Sequence, residues 1–523
     1  LILVPEVDFV ILHHCRYLFL TALVGFIPMG SAFAAEPSNE VPTMSIPEYL
    51  IARDLPEQLL QWQREGQIAR VEQWITETQT GETSESMREK MRVEQDRLRR
   101  LRRDFSLSET EMLEKLRLSI PDVSLHDLHH WRDEAAIQCL LLDGQIRYFR
   151  REPVNLFRRA EDARNRRDAA IKEKERHTPE PSGGDTPQAI LHRHLAEALK
   201  AARTSTNPVV LPVRTRIYHT IRVRPDVVPE GALLRCWMPF PQEYRQQGEV
   251  NLIVTTPTLT HLAPNGTLQR TLYFEQRAAK KGLPTVFEAE YEYTCSSYVP
   301  ELDPAKVLPL DPKDSIVVVH TAERPPQLVF TPELRTLAAE IIGTETNPLR
   351  KAEKFFYWID ENIRYVGEME YSLMPSVIEK ALVTRSGDCG VQALLFIALC
   401  RVSGIPARWQ SGWETKPLAP NMHDWAEFYI PPYGWLPVDP SYGVRKSDDP
   451  AIRSFYFGHL DSYRLIANLD FERSFDPPER FWRSDPVDSQ RGEVQWEGGN
   501  LFYDQWEYKV QITHLDDATW KKP

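Results

Sequence analysis

Residues 381–443 read ALVTRSGDCGVQALLFIALCRVSGIPARWQSGWETKPLAPNMHDWAEFYIPPYGWLPVDPSYG, and the fold of the chain turns on them. The loop 385–388 (RSGD) delivers Cys389 to the start of a helix. Val391, Leu394, Leu395, Ile397, Ala398 and Leu399 make that helix apolar almost all round, so it belongs inside a core. Gly404 stops it and Pro406 prevents a restart. A cysteine at this junction sits beside unpaired backbone N–H groups and the positive end of the helix dipole. Both favour thiolate, and the same N–H groups can hold an oxyanion. Cys400, mid-helix in apolar company, reads instead as a structural cysteine.

A thiolate nucleophile needs a base. The stretch 421–429 (NMHDWAEFY) reads as a strand carrying His423, and 434–439 reads as its hairpin partner after the turn at Pro431-Pro432. A hairpin centred near Pro432 sets His423 opposite Ser441 and makes Asp439 its diagonal neighbour on the same face. Such neighbours lie about 7–8 Å apart at the backbone, within reach of two long side chains. Asp439 can then accept a hydrogen bond from one imidazole nitrogen and orient the ring. It reads equally as a turn residue before Pro440.

GDCG, GIPAR, HDWAEFY and GWLPVDPSYG, in that order, resemble the core of the transglutaminase-like superfamily. The resemblance implies a papain-like Cys–His–Asp triad with Cys389 as nucleophile, His423 as base and Asp439 as orienting acid. The helix that precedes these motifs in the family is matched at 355–365. The stretches 457–464 (FGHLDSYR) and 486–500 resemble the C-terminal extension of bacterial members. The oxyanion-stabilising side chain of the family has one candidate here, Tyr365. The activity implied is cleavage or transfer of an acyl group from a peptide bond or glutamine-type amide through a Cys389 thioester, with hydrolysis placed ahead of amine transfer. The substrate is then a protein or peptide. No cofactor is expected, and with no carboxylate pattern like a calcium loop, no metal. The rival reading is a non-catalytic peptide-binding or envelope assembly module on the same fold.

Outward from this core, the period changes. In 213–224, Val213, Ile217, Ile221 and Val223 alternate with Arg214, Arg216, Arg222 and Arg224. In 286–293, Phe287, Ala289, Tyr291 and Tyr293 alternate with glutamates. Period two with one apolar face predicts strands, and the Arg-faced and Glu-faced strands suit each other as neighbours. Further upstream, Met87, Met91, Leu98, Leu101 and Phe105 form a helical stripe interrupted at Glu94. Ser108 and Glu111 form a capping-box pattern, a helix follows from Ser124, and Asp143-Gly144 marks a hairpin, together a winged-helix-like unit. The run Arg97, Arg99, Arg100, Arg102, Arg103 reads as a solvated helix face rather than a nucleic-acid contact. His126, His129 and His130 lack a carboxylate pattern that would make them a metal site.

The expected architecture is an α+β multidomain protein. Its parts are a signal peptide (1–34), a helical region with the hairpin unit (35–176), a linker (177–208), a β-sandwich (209–310), the transglutaminase-like core (327–445) and a β-rich C-terminal extension (446–523). A chain of 523 residues is too long for one core. With 63 Lys+Arg against 75 Asp+Glu, its net charge of -12 argues against a nucleic-acid partner. Arg16, the apolar stretch 17–35 and Ala32-Phe33-Ala34 follow the order of a secretory signal cleaved after Ala34. The expectation is a periplasmic or secreted protein, with membrane contact only where that segment is retained. Five cysteines would then remain, and Cys389 and Cys400 lie about 16 Å apart along one helix, too far to bridge.

Overall fold

A computed structural model describes residues 45–78, 84–177 and 186–515; the segment 1–34, expected from the sequence to be a signal peptide, lies outside the described residues. The apolar helix forms over Cys389–Val402, with residues from Val391 to Cys400 withdrawn from water. One face meets a four-stranded antiparallel sheet ordered Gly434–Val438, Asn421–Ile430, Ala407–Glu414, Arg464–Asn468. Phe396 of the helix packs edge-on against Phe428 of the sheet, ring centroids 5.8 Å apart. Helices Pro332–Ile342 and Pro348–Asn362 also pack on it. Thr331 and Asn347 cap them by accepting from the backbone N–H of Leu334 and Leu349, and Leu349, Ala352, Phe356, Ile359 and Ile363 are buried.

The hairpin pairs Ala426 with Val438 and Ile430 with Gly434. That register, continued past Val438, sets His423 opposite Ser441.

Two further antiparallel sheets share one apolar cluster. One is ordered Trp506–His514, Val209–Val223, Thr285–Tyr298, Gln247–Thr256; the other Gly499–Leu501, Glu493–Trp496, Leu233–Pro239, Thr271–Arg277, His261–Leu262. Ile217, Ile221, Phe287 and Tyr291 of the first meet Leu234, Cys236 and Phe274 of the second. Trp413, Leu465 and Ala467 of the core sheet join the same cluster, so these sheets buttress the core directly. The Arg-faced and Glu-faced strands are neighbours: Arg216 pairs with Glu292 in register, and Arg214 donates to Glu292 at 2.7 Å. Residues 446–515 are shared among three sheets. They give a strand to the core sheet and strands to both flanking sheets.

Upstream, helix Glu85–Asp104 buries Met91, Leu98, Leu101 and Phe105. The basic run on it departs from the expected solvated face. Arg97 and Arg100 are 5% and 1% exposed. Arg97 is held by Glu94 at 2.8 Å and donates to the carbonyls of Leu50 and Leu373, while Arg100 donates to the carbonyls of Arg483 and Ser484. Other segments pack on this face, and the guanidinium forks satisfy their irregular backbone. Capping boxes form at Ser108/Glu111 and Ser124/Asp127, and the hairpin Cys139–Leu142/Gln145–Tyr148 turns at Asp143 and Gly144 with φ of 48° and 78°. His129 meets Glu109 at 2.7 Å and His130 meets Glu134 at 3.5 Å. Within the expected linker, Pro187–Thr204 is a packed helix, because Ile190, Leu191, Leu195, Ala198 and Leu199 make one buried stripe. The five described cysteines are unbridged. Among the described residues no helix is long and apolar enough to cross a membrane.

Candidate active site

Asp388 is the N-cap of the Cys389 helix and accepts from the backbone N–H of Val391 at 3.2 Å. Tyr371 donates its hydroxyl to the same carboxyl oxygen, Oη to Oδ1 at 2.6 Å. Behind the loop, Lys380 is paired with Glu368 and donates to the Ser386 carbonyl at 2.8 Å; both side chains are buried. A two-residue parallel ladder pairs Gly387 with Tyr365 and brings that tyrosine alongside the nucleophile loop. Gly390 has no room for a side chain: a Cβ there would lie 2.0 Å from Tyr371 Oη and 2.8 Å from Asp424 Oδ2.

His423 lies on Asn421–Ile430, and its Nε2 is 2.6 Å from Asp439 Oδ2. The ring stacks on Trp425 and meets Tyr442 edge-on, centroids 6.0 and 5.3 Å away. Asp439 also accepts from Ser441 Oγ at 2.9 Å, from the Tyr442 backbone N–H at 3.2 Å and from Arg464 at 3.0 Å. Arg464 is itself shared with Asp461 and lies among Trp425, Tyr442 and Tyr456. Burial alone would raise the Asp439 carboxyl, but His423 and Arg464 outweigh it and hold it down to about 2. It is a fixed anion, suited to accept from the imidazole.

The three residues singled out from the sequence are therefore placed as follows. His423 and Asp439 form a buried pair. The thiol of Cys389 finds its hydrogen-bond partner not in His423 but in the next residue of that strand, donating to Asp424 Oδ2 at 3.3 Å. The site is enclosed: Cys389, His423 and Asp439 are 8%, 5% and 0% exposed. This enclosure overturns the expected low thiol pKa. Burial first, then the carboxyls of Asp424 and Asp388, push the Cys389 thiol well up. Asp388 is itself raised to about 6, by burial and by Glu368.

Tyr365 has a partly exposed ring, under the Arg158 guanidinium at 5.0 Å. Burial of its hydroxyl end, with Cys389 and Asp388 nearby, pushes the phenol up. It is a neutral O–H near the Cys389 sulfur. Sequence reasoning missed Tyr371, Asp424, Arg464, Asp488 and Gln490. Asp424 had a visible signal, adjacency to His423. The others reach the site from 17 to 66 residues away through packing that no local pattern announces.

Residues 335–440 match the model of the transglutaminase-like superfamily. This segment is a transglutaminase-like domain, and it spans Cys389, His423 and Asp439. The chain is 24% identical over 325 residues to an uncharacterized protein of Haemophilus influenzae, covering 53% of this chain and 84% of that one. It is 38% identical over 71 residues to the protein-glutamine gamma-glutamyltransferase of Pseudomonas aeruginosa, covering 12% of this chain and 11% of that protein. Among solved structures it is similar to one described as a "Putative Cysteine Protease from Cytophaga hutchinsonii", at TM-score 0.42 and 18% identity over 59% of this chain and 93% of that one.

Proposed function

We propose that the chain is an exported thiol enzyme that cleaves or transfers an acyl group from a peptide bond or glutamine-type amide. The observation that carries this is the buried His423–Asp439 pair at 2.6 Å, one strand residue from the partner of a helix-terminal cysteine. Asp439 holds Nε2, leaving Nδ1 to take the proton of the Cys389 thiol as sulfur attacks the carbonyl carbon. The tetrahedral oxyanion is met by the helix N-terminus and the Tyr365 hydroxyl. The imidazolium then protonates the leaving amine, and a thioester remains. Water, or an amine, gives its proton to Nδ1 as it attacks the thioester, and the thiol is regenerated. Hydrolysis is the reading placed first. The amide of glutamine suits the same chemistry, as the name of the Pseudomonas relative implies for that protein.

The test is mass spectrometry of Cys389 after incubation with glutamine peptides and cell-wall peptides. An acyl adduct on Cys389 supports the reading and names the substrate class; no adduct and no turnover in wild type with any peptide of the pool counts against it. The enclosure of the triad favours a second reading, a peptide-binding or envelope assembly module without turnover. Saturable peptide binding that survives Cys389→Ala, with no turnover by wild type, would put that reading ahead. Export itself is tested by sequencing the mature terminus, expected near Ala35.

A further inference from the structure

Behind the thiol lies a set of buried acids that this chemistry does not use. Asp424 follows His423 on its strand and so leaves the opposite face, toward the nucleophile helix. Its Oδ2 accepts the Cys389 S–H at 3.3 Å, and its own backbone N–H is directed at the same sulfur. Its Oδ1 accepts the Gln490 amide, which also donates to the His423 carbonyl at 3.0 Å. The Asp424 and Asp488 carboxyls are hydrogen-bonded to each other, and Asp488 accepts from the Ser411 hydroxyl. Asp424 and Asp488 are both buried. Two carboxyls in such contact cannot both ionise, so the pair carries one proton and one charge.

We propose that Asp424 is a positioning residue that holds the Cys389 thiol protonated and engaged away from His423 in the resting enzyme, and that Asp488 shares the proton that limits the charge on Asp424. The inference rests on the reading of Cys389 as the nucleophile. The Gly390 backbone permits it, since any side chain there would meet the Asp424 carboxyl. The other charged and titratable groups facing this pair are known. From the nucleophile loop and the segment before it come Asp388, Tyr365 and Tyr371, with Glu368 and Lys380 behind the loop. His423 lies on the same strand, and the C-terminal segment supplies Asp485, Arg483 and Arg491. Burial and Asp488 raise Asp485 to about 7, so that neighbour adds little charge below neutrality.

The arrangement predicts opposite signs for two isosteric changes. Asp424→Asn removes the carboxylate charge beside the sulfur and leaves it on the more distant Asp488, so thiolate forms more readily. Asp488→Asn lets an amide donate to Asp424 and puts the whole charge against the sulfur, so thiolate forms less readily. The experiment is the rate of Cys389 alkylation by iodoacetamide against pH, site-resolved by mass spectrometry on the full chain. Asp424→Asn should label at least about tenfold faster at pH 7, the effect of one pH unit in the thiol, and Asp488→Asn slower than wild type. Ser411→Ala, which frees Asp488 to take the proton, should also slow labelling and leaves both acids in place should an Asp variant misfold. A loosened structure would speed all three. Shifts of the same sign in Asp424→Asn and Asp488→Asn, no shift in Asp424→Asn, or faster labelling in Ser411→Ala overturns the proposal. Alkylation needs no substrate, so its failure is distinct from failure of the nucleophile reading, which falls if Cys389→Ala still turns over an amide.

Discussion

Replacing Asp439 by Asn tests the charge state of the site through stability, without any substrate. The carboxyl is fully buried and is held from its ordinary 3.8 down to about 2, because His423 and Arg464 outweigh the cost of burial. A group whose folded pKa is depressed contributes stability above its unfolded value and loses it as pH falls through the folded one. For this carboxyl the contribution is about 2.5 kcal/mol at neutral pH. It is complete above about pH 5 and nearly gone at pH 2. Asn does not titrate in this range. The stability of wild type minus that of Asp439→Asn should therefore be flat from pH 7 to pH 5 and should shrink by about 2 kcal/mol between pH 5 and pH 2. Denaturant titrations followed by tryptophan fluorescence at stepped pH measure it. The variant also strands part of the Arg464 charge, so it should be less stable than wild type at pH 7, by about 3–5 kcal/mol if Asp461 does not compensate. A difference that stays constant on acidification, or grows, would refute the assignment of Asp439 as the ionised partner of His423.

Three further outcomes are expected. Cys389→Ala should abolish turnover of an amide substrate, His423→Ala should be nearly as severe, and the double change little worse than either, as a kcat comparison will show. Tyr365→Phe should lower kcat about 10²–10³-fold while leaving Cys389 alkylation unchanged, if its hydroxyl meets the oxyanion; an unchanged kcat removes it from that role. Lys380→Met leaves the buried Glu368 carboxylate without its partner and should cost about 3–5 kcal/mol in denaturant titrations, whereas Lys380→Met with Glu368→Gln should recover part of that loss.

Much of the core was legible because its signals are local. Asp388 and Gly404 bracket the Cys389 helix with a cap and a stop, and the turn at Pro431-Pro432 sets the register that brings Asp439 to His423. What was not legible depends on distant chain. Arg97 and Arg100 look like surface residues in sequence because the carbonyls they serve, on Leu373 and Arg483, lie hundreds of positions away. The strands Glu493–Trp496 and Trp506–His514 join sheets begun by Leu233–Pro239 and Val209–Val223, pairings that alternation alone cannot assign. The thiol's environment was misjudged for a related reason. The helix terminus is visible in sequence, but the burial and the Asp424 carboxyl that push the thiol up depend on the tertiary packing of strand on helix.

The same packing gives the N-terminal helical region a physical part in the site. Residues 364–374 bring both Tyr365 and Tyr371 to the nucleophile, and they have little regular structure of their own. Asn155 fixes Gly367 by a reciprocal pair, its Nδ2 donating to the carbonyl at 2.8 Å and its Oδ1 accepting the backbone N–H at 2.7 Å. Arg150 bridges Asp104 and Glu370, Arg97 holds the Leu373 carbonyl, and Arg158 covers the Tyr365 ring. An irregular segment with buried backbone needs such partners, since each unpaired group would cost about 1–3 kcal/mol. The helical region supplies them at four points along one short stretch. It therefore acts on the loop beside Cys389 by holding the tyrosines in place.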